Sequence, residues 1–366
     1  MRSAVNFFRR FGFSTLTFFL LSSLAFAQYT VTNLVSNQTG VAPNTDQQHL
    51  INAWGLVARG GSPWWVSDNG SGFSTLYTAS GQQVHLFVTI PPAPSSPAGT
   101  LGTPSGIVGN VSPNASDFVV SENGKSGKAI FLFATLDGTI TGWTPAVDPI
   151  NADGTSHATL ASDQSGTGAS YTGLAIAASG GQFFLYAADG GPNRKIDVFN
   201  GDFTIKHFSD TAFTDPAIPN TFTPYGIQNI NGDIWVTYTG LNKGQGGFVD
   251  HFTADGVLIT HNAAHGPLHS PWGLAQAPPD FGPLSNALLV GNNTEHGRVN
   301  AFNPVTGEFI GPLLDASGTP IEINQLWAIQ FGHDTAANGA HNQLFFTAGS
   351  NQYQDGLFGV ITFNGQ

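Results

Sequence analysis

Three histidines stand four residues apart in one short segment of the chain. His261, His265 and His269 lie in "THNAAHGPLHSPWG", and His49 occupies a similar place in "DQQHLINAWG". A Gly-Pro pair directly after His265 prevents a continuous helix, so the spacing does not stack the three side chains on one helical face. We therefore expect the three histidines to lie in a loop, and one interpretation is that His265 and His269 converge there with His49.

Converging imidazoles of this kind suit a metal ion or a proton transfer. Imidazole is a ligand of copper and zinc, and neutral imidazole acts as a general base near pH 7. The predicted ligands of one divalent ion (copper, zinc or calcium) are His49, His265 and His269. The alternative is a polar surface loop whose histidines are solvated or hydrogen-bonded.

A second set of candidate residues comes from a repeated two-residue motif, in which an aromatic or hydroxyl-bearing residue precedes a small residue. We call this motif the step. The step occurs in "NAWGLV", "TPSGIV", "SYTGLA", "TPYGIQ", "SPWGLA" and "QLWAIQ", and its first members are Trp54, Ser105, Thr172, Tyr225, Trp272 and Trp327. Aromatic rings gathered at one opening can stack on a sugar ring or hold an apolar ligand. They can equally plug the opening or pack between neighbouring elements.

These candidates are positioned by a repeated unit of β structure. Each step is followed by strand-like segments that end in Gly, Asn or Asp turns, such as "PWWVSD" and "STLYTA". The six steps stand 47 to 67 residues apart, and repetition at this period with four strands a unit is typical of propeller blades. We predict an all-β, six-bladed β-propeller of four-stranded blades. The glycine of the step allows close backbone approach where inner strands crowd the channel mouth.

Closure of the ring is predicted from the two ends of the sequence. The sixth unit has only three strands before Gln366, whereas an isolated strand, Tyr29–Ser36, precedes the first step. This strand can supply the missing outer strand of the last blade and so remove two exposed sheet edges. The alternative is an unpaired N-terminal arm.

The first 27 residues differ in character from the rest. Arg2, Arg9 and Arg10 precede an apolar stretch that ends in "AFA", the pattern of a secretory signal peptide cleaved before Gln28. A membrane anchor is the alternative, but the stretch is shorter than the roughly 20 residues that a span requires. We predict an exported protein, periplasmic or extracellular, with residues 28–366 forming a single propeller domain.

Composition excludes several classes of function. The chain carries 11 Lys and Arg against 23 Asp and Glu, with a formal charge of −12, so it repels nucleic acid and anionic lipid. It has no cysteine, which excludes disulfides, thiol nucleophiles and thiolate metal sites. The expected partner is a small neutral ligand or an extracellular protein or peptide, bound by a monomer with no membrane contact after cleavage.

Several motifs resemble a known family. "FATLDGTITGW", "FTDPAIPNTFTPYGIQ", "GPLHSPWGLAQAPPDFG", "GRVNAFNPVTGEFIG" and "LFFTAGSNQYQDGLFG" are similar to those of secreted bacterial NHL-like six-bladed β-propellers, described as conserved hypothetical proteins. The resemblance spans nearly the whole mature chain and implies the fold and export, with no activity attached. "GNNTEHGR" departs from the usual turn, which leaves any shared role of that turn open.

The leading interpretation is a ligand-binding module that uses the aromatic mouth. The alternative is an enzyme, a hydrolase or lactonase or a metal-dependent oxidoreductase, that uses the histidine loop. Six-bladed propellers include calcium-dependent lactonases, but calcium prefers six to eight oxygen ligands including carboxylates. The six mouth positions offer two aliphatic hydroxyls and no carboxylate. The sequence leaves open which end of the channel is functional.

Overall fold

The computed structural model describes residues 29–242, 245–264 and 266–365. The predicted signal peptide and the candidate ligand His265 lie outside the described residues. Regular structure in this part of the chain is nearly all β, with two 3-10 turns, Ser165–Thr167 and Gly282–Leu284, and one helical turn, Ser350–Tyr353. No described helix is long and apolar enough to cross a bilayer.

The strands form six blades that follow one another along the chain. The first described strands are β1 (Tyr29–Ser36) and β2 (Asn44–Thr45). Blade 1 contains β3 (Ala53–Val57), β4 (Trp64–Asp68), β5 (Phe73–Tyr77) and β6 (Phe87–Thr89). Blade 2 contains β7 (Pro104–Gly109), β10 (Phe131–Thr135), β11 (Thr139–Trp143) and β13 (Thr159–Asp163). A separate hairpin of β8 (Val119–Glu122) and β9 (Lys125–Lys128) is inserted after β7. The short β12 (Thr155–His157) precedes β13 and pairs with the edge of blade 1.

The remaining blades are regular. Blade 3 contains β14 (Tyr171–Ser179), β15 (Gln182–Asp189), β16 (Lys195–Phe199) and β17 (Ile205–Lys206). Blade 4 contains β18 (Phe222–Ile230), β19 (Asp233–Gly240), β20 (Gly247–Phe252) and β21 (Leu258–Ala264). Blade 5 contains β22 (Pro271–Gln276), β23 (Leu288–Asn292), β24 (Val299–Phe302) and β25 (Phe309–Pro312), and blade 6 contains β26 (Leu326–Phe331), β27 (Gln343–Ala348), β28 (Leu357–Phe363) and β1.

The first strands of successive blades contact one another around a ring, and β26 of blade 6 contacts β3 of blade 1. Apolar clusters fill the spaces between blades; in one of them, the ring of Trp65 lies 4.1 Å from Phe131 and 5.0 Å from Trp143, measured between centroids. The six-bladed, four-stranded β-propeller predicted from the repeated step is therefore confirmed.

The N-terminal strand closes this ring as predicted. β1 pairs antiparallel with β28, so that Tyr29 lies opposite Phe363 and Ser36 lies opposite Leu357. Tyr29 is buried, and its hydroxyl donates a 2.7 Å hydrogen bond to the carbonyl oxygen of Phe281 in blade 5. Tyr29–Ser36 is thus an integral strand of blade 6 rather than an unpaired arm.

The repeated step coincides with a break in strand register. In all six blades the pairing between the inner strand and its neighbour shifts at the step, as a β-bulge does. A Cβ atom on Gly226 would lie 1.9 Å from the carbonyl oxygen of Trp272, and one on Gly273 would lie 2.5 Å from that of Trp327. The glycine therefore brings the backbones of adjacent blades together, as expected from the sequence.

Candidate functional site

The aromatic residues of the repeated step meet at one end of the channel. We call this end the start face, because the inner strands begin there. The rings of Trp54 and Trp327 lie 3.7 Å apart, and Trp272 and Tyr225 each lie 5.8 Å from Trp327. The three tryptophans are buried, with exposures of only 6%, 9% and 1% for Trp54, Trp272 and Trp327. Together the four residues form an aromatic plug.

The other two predicted mouth residues support the plug through backbone hydrogen bonds. The hydroxyl of Ser105 donates a hydrogen bond to the backbone carbonyl oxygen of Tyr171 at 2.5 Å. The hydroxyl of Thr172 donates one to the backbone carbonyl oxygen of Tyr225 at 2.7 Å. The carbonyl oxygen of Thr172 accepts from Trp272 Nε1 at 2.9 Å. The structure therefore gives these hydroxyls structural partners, and a role for them in ligand binding stays a prediction.

Each tryptophan of the plug follows a residue in the left-handed backbone region. Asn52, Ser270 and Gln325 have φ values of 49°, 48° and 47°, and each stands two positions before a plug tryptophan. A left-handed non-glycine residue costs about 1–2 kcal/mol. The three blades without a tryptophan at the step have no such residue at the matching position in the described chain. Local strain thus accompanies the placement of the tryptophans.

A strained turn lies beside the plug on the start face. In Ser350–Tyr353 the residues Asn351, Gln352 and Tyr353 have φ values of 54°, 54° and 67°. The ring of Tyr353 lies 5.7 Å from Trp327, and its hydroxyl donates to Asn293 Oδ1 at 2.8 Å. Backbone strain of this kind concentrates at functional sites. Residue types alone did not reveal this turn, because consecutive left-handed residues have no dependable sequence signal.

A cleft of about 450 Å³ lies next to the plug, between blades 4 and 5. Most of its described lining is polar, including Thr239, Asn242, Gln245, His269, Ser270, Asn292, Thr294, Glu295, His296, Arg298 and Asn300. The turn "GNNTEHGR" supplies much of one wall. Its Asn292 lines the cleft and the next residue, Asn293, bonds to Tyr353 of the start face. The cleft and the plug are therefore adjacent.

The cationic side chains that the structure describes in the lining of the cleft, Arg298 and His296, are already paired. Arg298 Nη2 lies 2.5 Å from Glu322 Oε1, and His296 Nδ1 lies 3.0 Å from Glu322 Oε2. The hydrogen bond from Arg298 is the main reason why the pKa of Glu322 lies below its ordinary value. With Glu295 also in the wall, the described lining of the cleft offers no surplus of positive charge to an anionic ligand.

The predicted histidine site is not assembled in the described part of the chain. His269 is exposed in the cleft. His49 instead packs against the outer strand of blade 1, with its ring stacked 4.4 Å from Phe87 and its Nδ1 3.0 Å from Asp46 Oδ1. Burial raises the pKa of Asp46, but the hydrogen bonds and charge of His49 outweigh it and leave that pKa below its usual value. Neither histidine belongs to a described group of three metal-ligating side chains.

One such group does occur among the described residues, and it contains the remaining histidine of the segment. Asp215, Asp250 and His261 have ligand atoms that all lie within 4.8 Å of one another. Asp250 lies on β20 opposite His261 on β21. That pairing follows from the hairpin, whereas Asp215 comes from the loop before blade 4, which no local sequence pattern connects to His261.

The opposite end of the channel holds a second depression. It measures about 350 Å³, and its lining includes Arg59, Gln228, Asn229, Gln330 and His333. Because it lies where the inner strands end, we call this the end face. It is the natural site for control variants.

The comparisons with known proteins agree with the fold. "Uncharacterized protein R648" of Acanthamoeba polyphaga mimivirus is 30% identical over 349 residues, which cover 92% of this chain and 81% of that protein. "Uncharacterized protein L690" of the same virus is 30% identical over 351 residues, or 92% of this chain and 86% of that protein. The chain belongs to this family.

The bacterial origin that the motifs suggested for the family is therefore wrong. The resemblance pointed to bacterial proteins, whereas these family members belong to a giant virus. Motifs that recur in a repeated fold carry no information about the organism. The names of the family members assign no activity, and no protein-family profile matches the chain.

Solved structures resemble the family in fold. A glucose dehydrogenase is 14% identical, with a TM-score of 0.52, and the match covers 92% of this chain and all of that chain. A streptogramin B lyase is 13% identical, with a TM-score of 0.46, over 93% of this chain and all of the other. The first similarity shows the propeller fold alone, and the second is too low to support any argument.

Proposed function

We propose that the protein is a ligand-binding β-propeller whose site is the cleft between blades 4 and 5 on the start face. Its ligand is an uncharged, hydroxyl-rich molecule such as a saccharide. The observation that carries this proposal is the cleft of about 450 Å³ that is lined mainly by polar residue types, with the exposed His269 in its wall. Pockets for small ligands commonly measure about 300–1,000 Å³.

The cleft has groups that suit hydroxyls. A sugar hydroxyl both donates and accepts, so it needs acceptors and donors at short range. The ring nitrogens of His269 make no hydrogen bond to any described residue, which leaves one donor and one acceptor for a ligand in the neutral imidazole. Glu295 supplies further acceptors in the same wall.

Charge favours a neutral ligand over an anion. The cleft's Arg298 and His296 are paired with Glu322, and the whole chain carries a formal charge of −12. An anionic ligand would have to break those pairs and approach against the field of the protein. A neutral saccharide requires neither.

Replacing His269 tests the proposed site. His269→Ala is expected to weaken saccharide binding about 3- to 10-fold, because a neutral hydrogen bond contributes about 0.5–1.5 kcal/mol. A glycan array identifies the ligand, and titration calorimetry then compares the variants. His333→Ala, an exposed histidine of the end face, is the matched control and should bind normally. Loss of affinity in His333→Ala with normal binding by His269→Ala would contradict the proposal.

We propose export together with this binding role, since an extracellular glycan or peptide would be met outside the cell. Protein recovered after secretion is expected to begin at Gln28, directly after the "AFA" site. N-terminal sequencing measures this. Membrane-bound protein that retains Met1 would instead support the anchor.

A further inference from the structure

Two carboxylates converge on one imidazole nitrogen at the edge of blade 4. His261 Nδ1 lies 2.9 Å from Asp215 Oδ2 and 2.8 Å from Asp250 Oδ1. A single N–H group cannot point along both directions at once, and hydrogen bonds weaken as they bend. The one proton on this nitrogen therefore cannot form a good hydrogen bond to both carboxylate oxygens.

The two carboxylates are also withdrawn from water. Asp250 is fully buried and the side chain of Asp215 is only 4% exposed. Oxygen Oδ2 of Asp250 is buried and has no hydrogen bond of good geometry from any described residue, although the hydroxyl of Tyr238 makes a side-chain contact with the carboxyl. Buried charges without full pairing are costly, so this arrangement calls for a compensating positive charge.

Little positive charge faces this pair of carboxylates. Among the described residues, only His261 forms an ion pair with Asp215 or Asp250. A single imidazole therefore faces two buried carboxylates.

Other histidine–carboxylate contacts in the chain are differently arranged. His251 contacts a single carboxylate, with Nε2 2.9 Å from Asp233 Oδ2. His157 contacts two, but through different nitrogens: Nε2 meets Glu122 and Nδ1 meets Asp148. Only at His261 do two carboxylate oxygens converge on the same nitrogen among the described histidines.

We propose that Asp215, Asp250 and His261 form a zinc site that joins the loop before blade 4 to the β20–β21 hairpin. Zinc accepts one nitrogen and two carboxylate oxygens at about 2.0–2.2 Å, with a fourth position left for water. Ligand atoms around such an ion lie roughly 3.3 Å apart. The two separations from His261 Nδ1, 2.9 and 2.8 Å, need only a small expansion, and all three ligand atoms lie within 4.8 Å of one another. The imidazole then carries its proton on Nε2.

Solvent access to the site and the chemistry of its ligands both agree with zinc. The side chain of His261 is 29% exposed, which gives an ion a path from solvent. A mixed nitrogen and carboxylate set favours zinc over calcium, which prefers six to eight oxygen ligands. This inference is independent of the proposed saccharide cleft.

Zinc titration of the untagged protein, stripped with a chelator and dialysed, tests the site. Competition with a chromophoric chelator is expected to give one Zn²⁺ per chain with a Kd below about 1 µM. At a hundredfold excess over the Kd, zinc should raise the Tm by about 5 °C. Calcium and manganese at the same concentration serve as comparison ions.

Three variants separate metal binding from folding. Asp250→Asn and His261→Gln should each weaken zinc binding at least about a hundredfold, whereas the matched control His251→Gln should stay within about twofold of the parent. Asp250→Asn removes a poorly paired buried charge, so its metal-free Tm should be no lower than that of the parent. This variant therefore reports on the site even if His261→Gln folds poorly.

Either of two results would overturn the assignment. One is a parent protein that takes up no zinc at 100 µM, or that is stabilised by calcium or manganese but not by zinc. The other is zinc binding of equal strength and stoichiometry in the parent and in Asp250→Asn.

Discussion

Deletion of residues 29–36 is expected to lower the Tm by at least about 15 °C or to leave a chain that does not fold. This segment supplies the outer strand of blade 6 and pairs along its length with β28. It also buries Tyr29, Leu34 and Val35, each of which contributes about 1.5–3 kcal/mol. Their sum is comparable to the whole stability of a typical domain, about 5–15 kcal/mol.

Thermal unfolding followed by circular dichroism measures this effect, and the chain offers a matched control. Thr30 and Thr32 are exposed on the same strand, so the double variant Thr30→Ser, Thr32→Ser should change the Tm by only about 1–2 °C. A synthetic peptide of residues 29–36, added to the deleted protein, should restore part of the lost stability. A deleted protein that melts at the parent temperature would show that the ring does not depend on β1.

Trp327→Ala is expected to lower the free energy of unfolding by about 3–5 kcal/mol, the usual cost of truncating a buried aromatic residue. Trp327 is 1% exposed and lies at the centre of the aromatic plug, in ring contact with Trp54, Trp272, Tyr225 and Tyr353. Its Nε1 also donates to Asn52 Oδ1 at 3.0 Å. Removal of the indole therefore leaves both a cavity and an unpaired amide oxygen.

Chemical denaturation measures this second effect, and two variants bracket it. Trp327→Phe should retain part of the packing and lose less stability. Tyr353→Ala, which truncates the 40% exposed neighbour of the plug, should lose less than about 1.5 kcal/mol. If Trp327→Ala lost under 1 kcal/mol but abolished saccharide binding, the plug would be a ligand surface rather than a structural element.

The fold could be predicted because every blade repeats one local requirement. The repeated step, which ends in glycine in five blades and in Ala328 in the sixth, marks a strand bulge and a close approach between neighbouring backbones. The isolated strand Tyr29–Ser36 and the incomplete last unit then determined how the ring closes. These features are short motifs or repeats of one motif, so a single sequence is enough to detect them.

The candidate sites were less predictable because they depend on distances between loops. His269 lies in the wall of the cleft beside the plug. His49 packs against Phe87 in blade 1, which its position before the repeated step does not indicate. Asp215 meets His261 across 46 residues. The burial of the plug was left open by the sequence, since an aromatic ring is suited equally to packing and to stacking on a ligand.

The antiparallel closure also determines how the ring responds to mechanical load. Tyr29 lies directly opposite Phe363 at one end of the β1–β28 ladder, and antiparallel hydrogen bonds run perpendicular to the strands. A force that pulls these two residues apart therefore loads the hydrogen bonds of the ladder one after another rather than all of them together. We therefore expect tension applied between these two residues to open the propeller at this seam first, with the other five blades still folded.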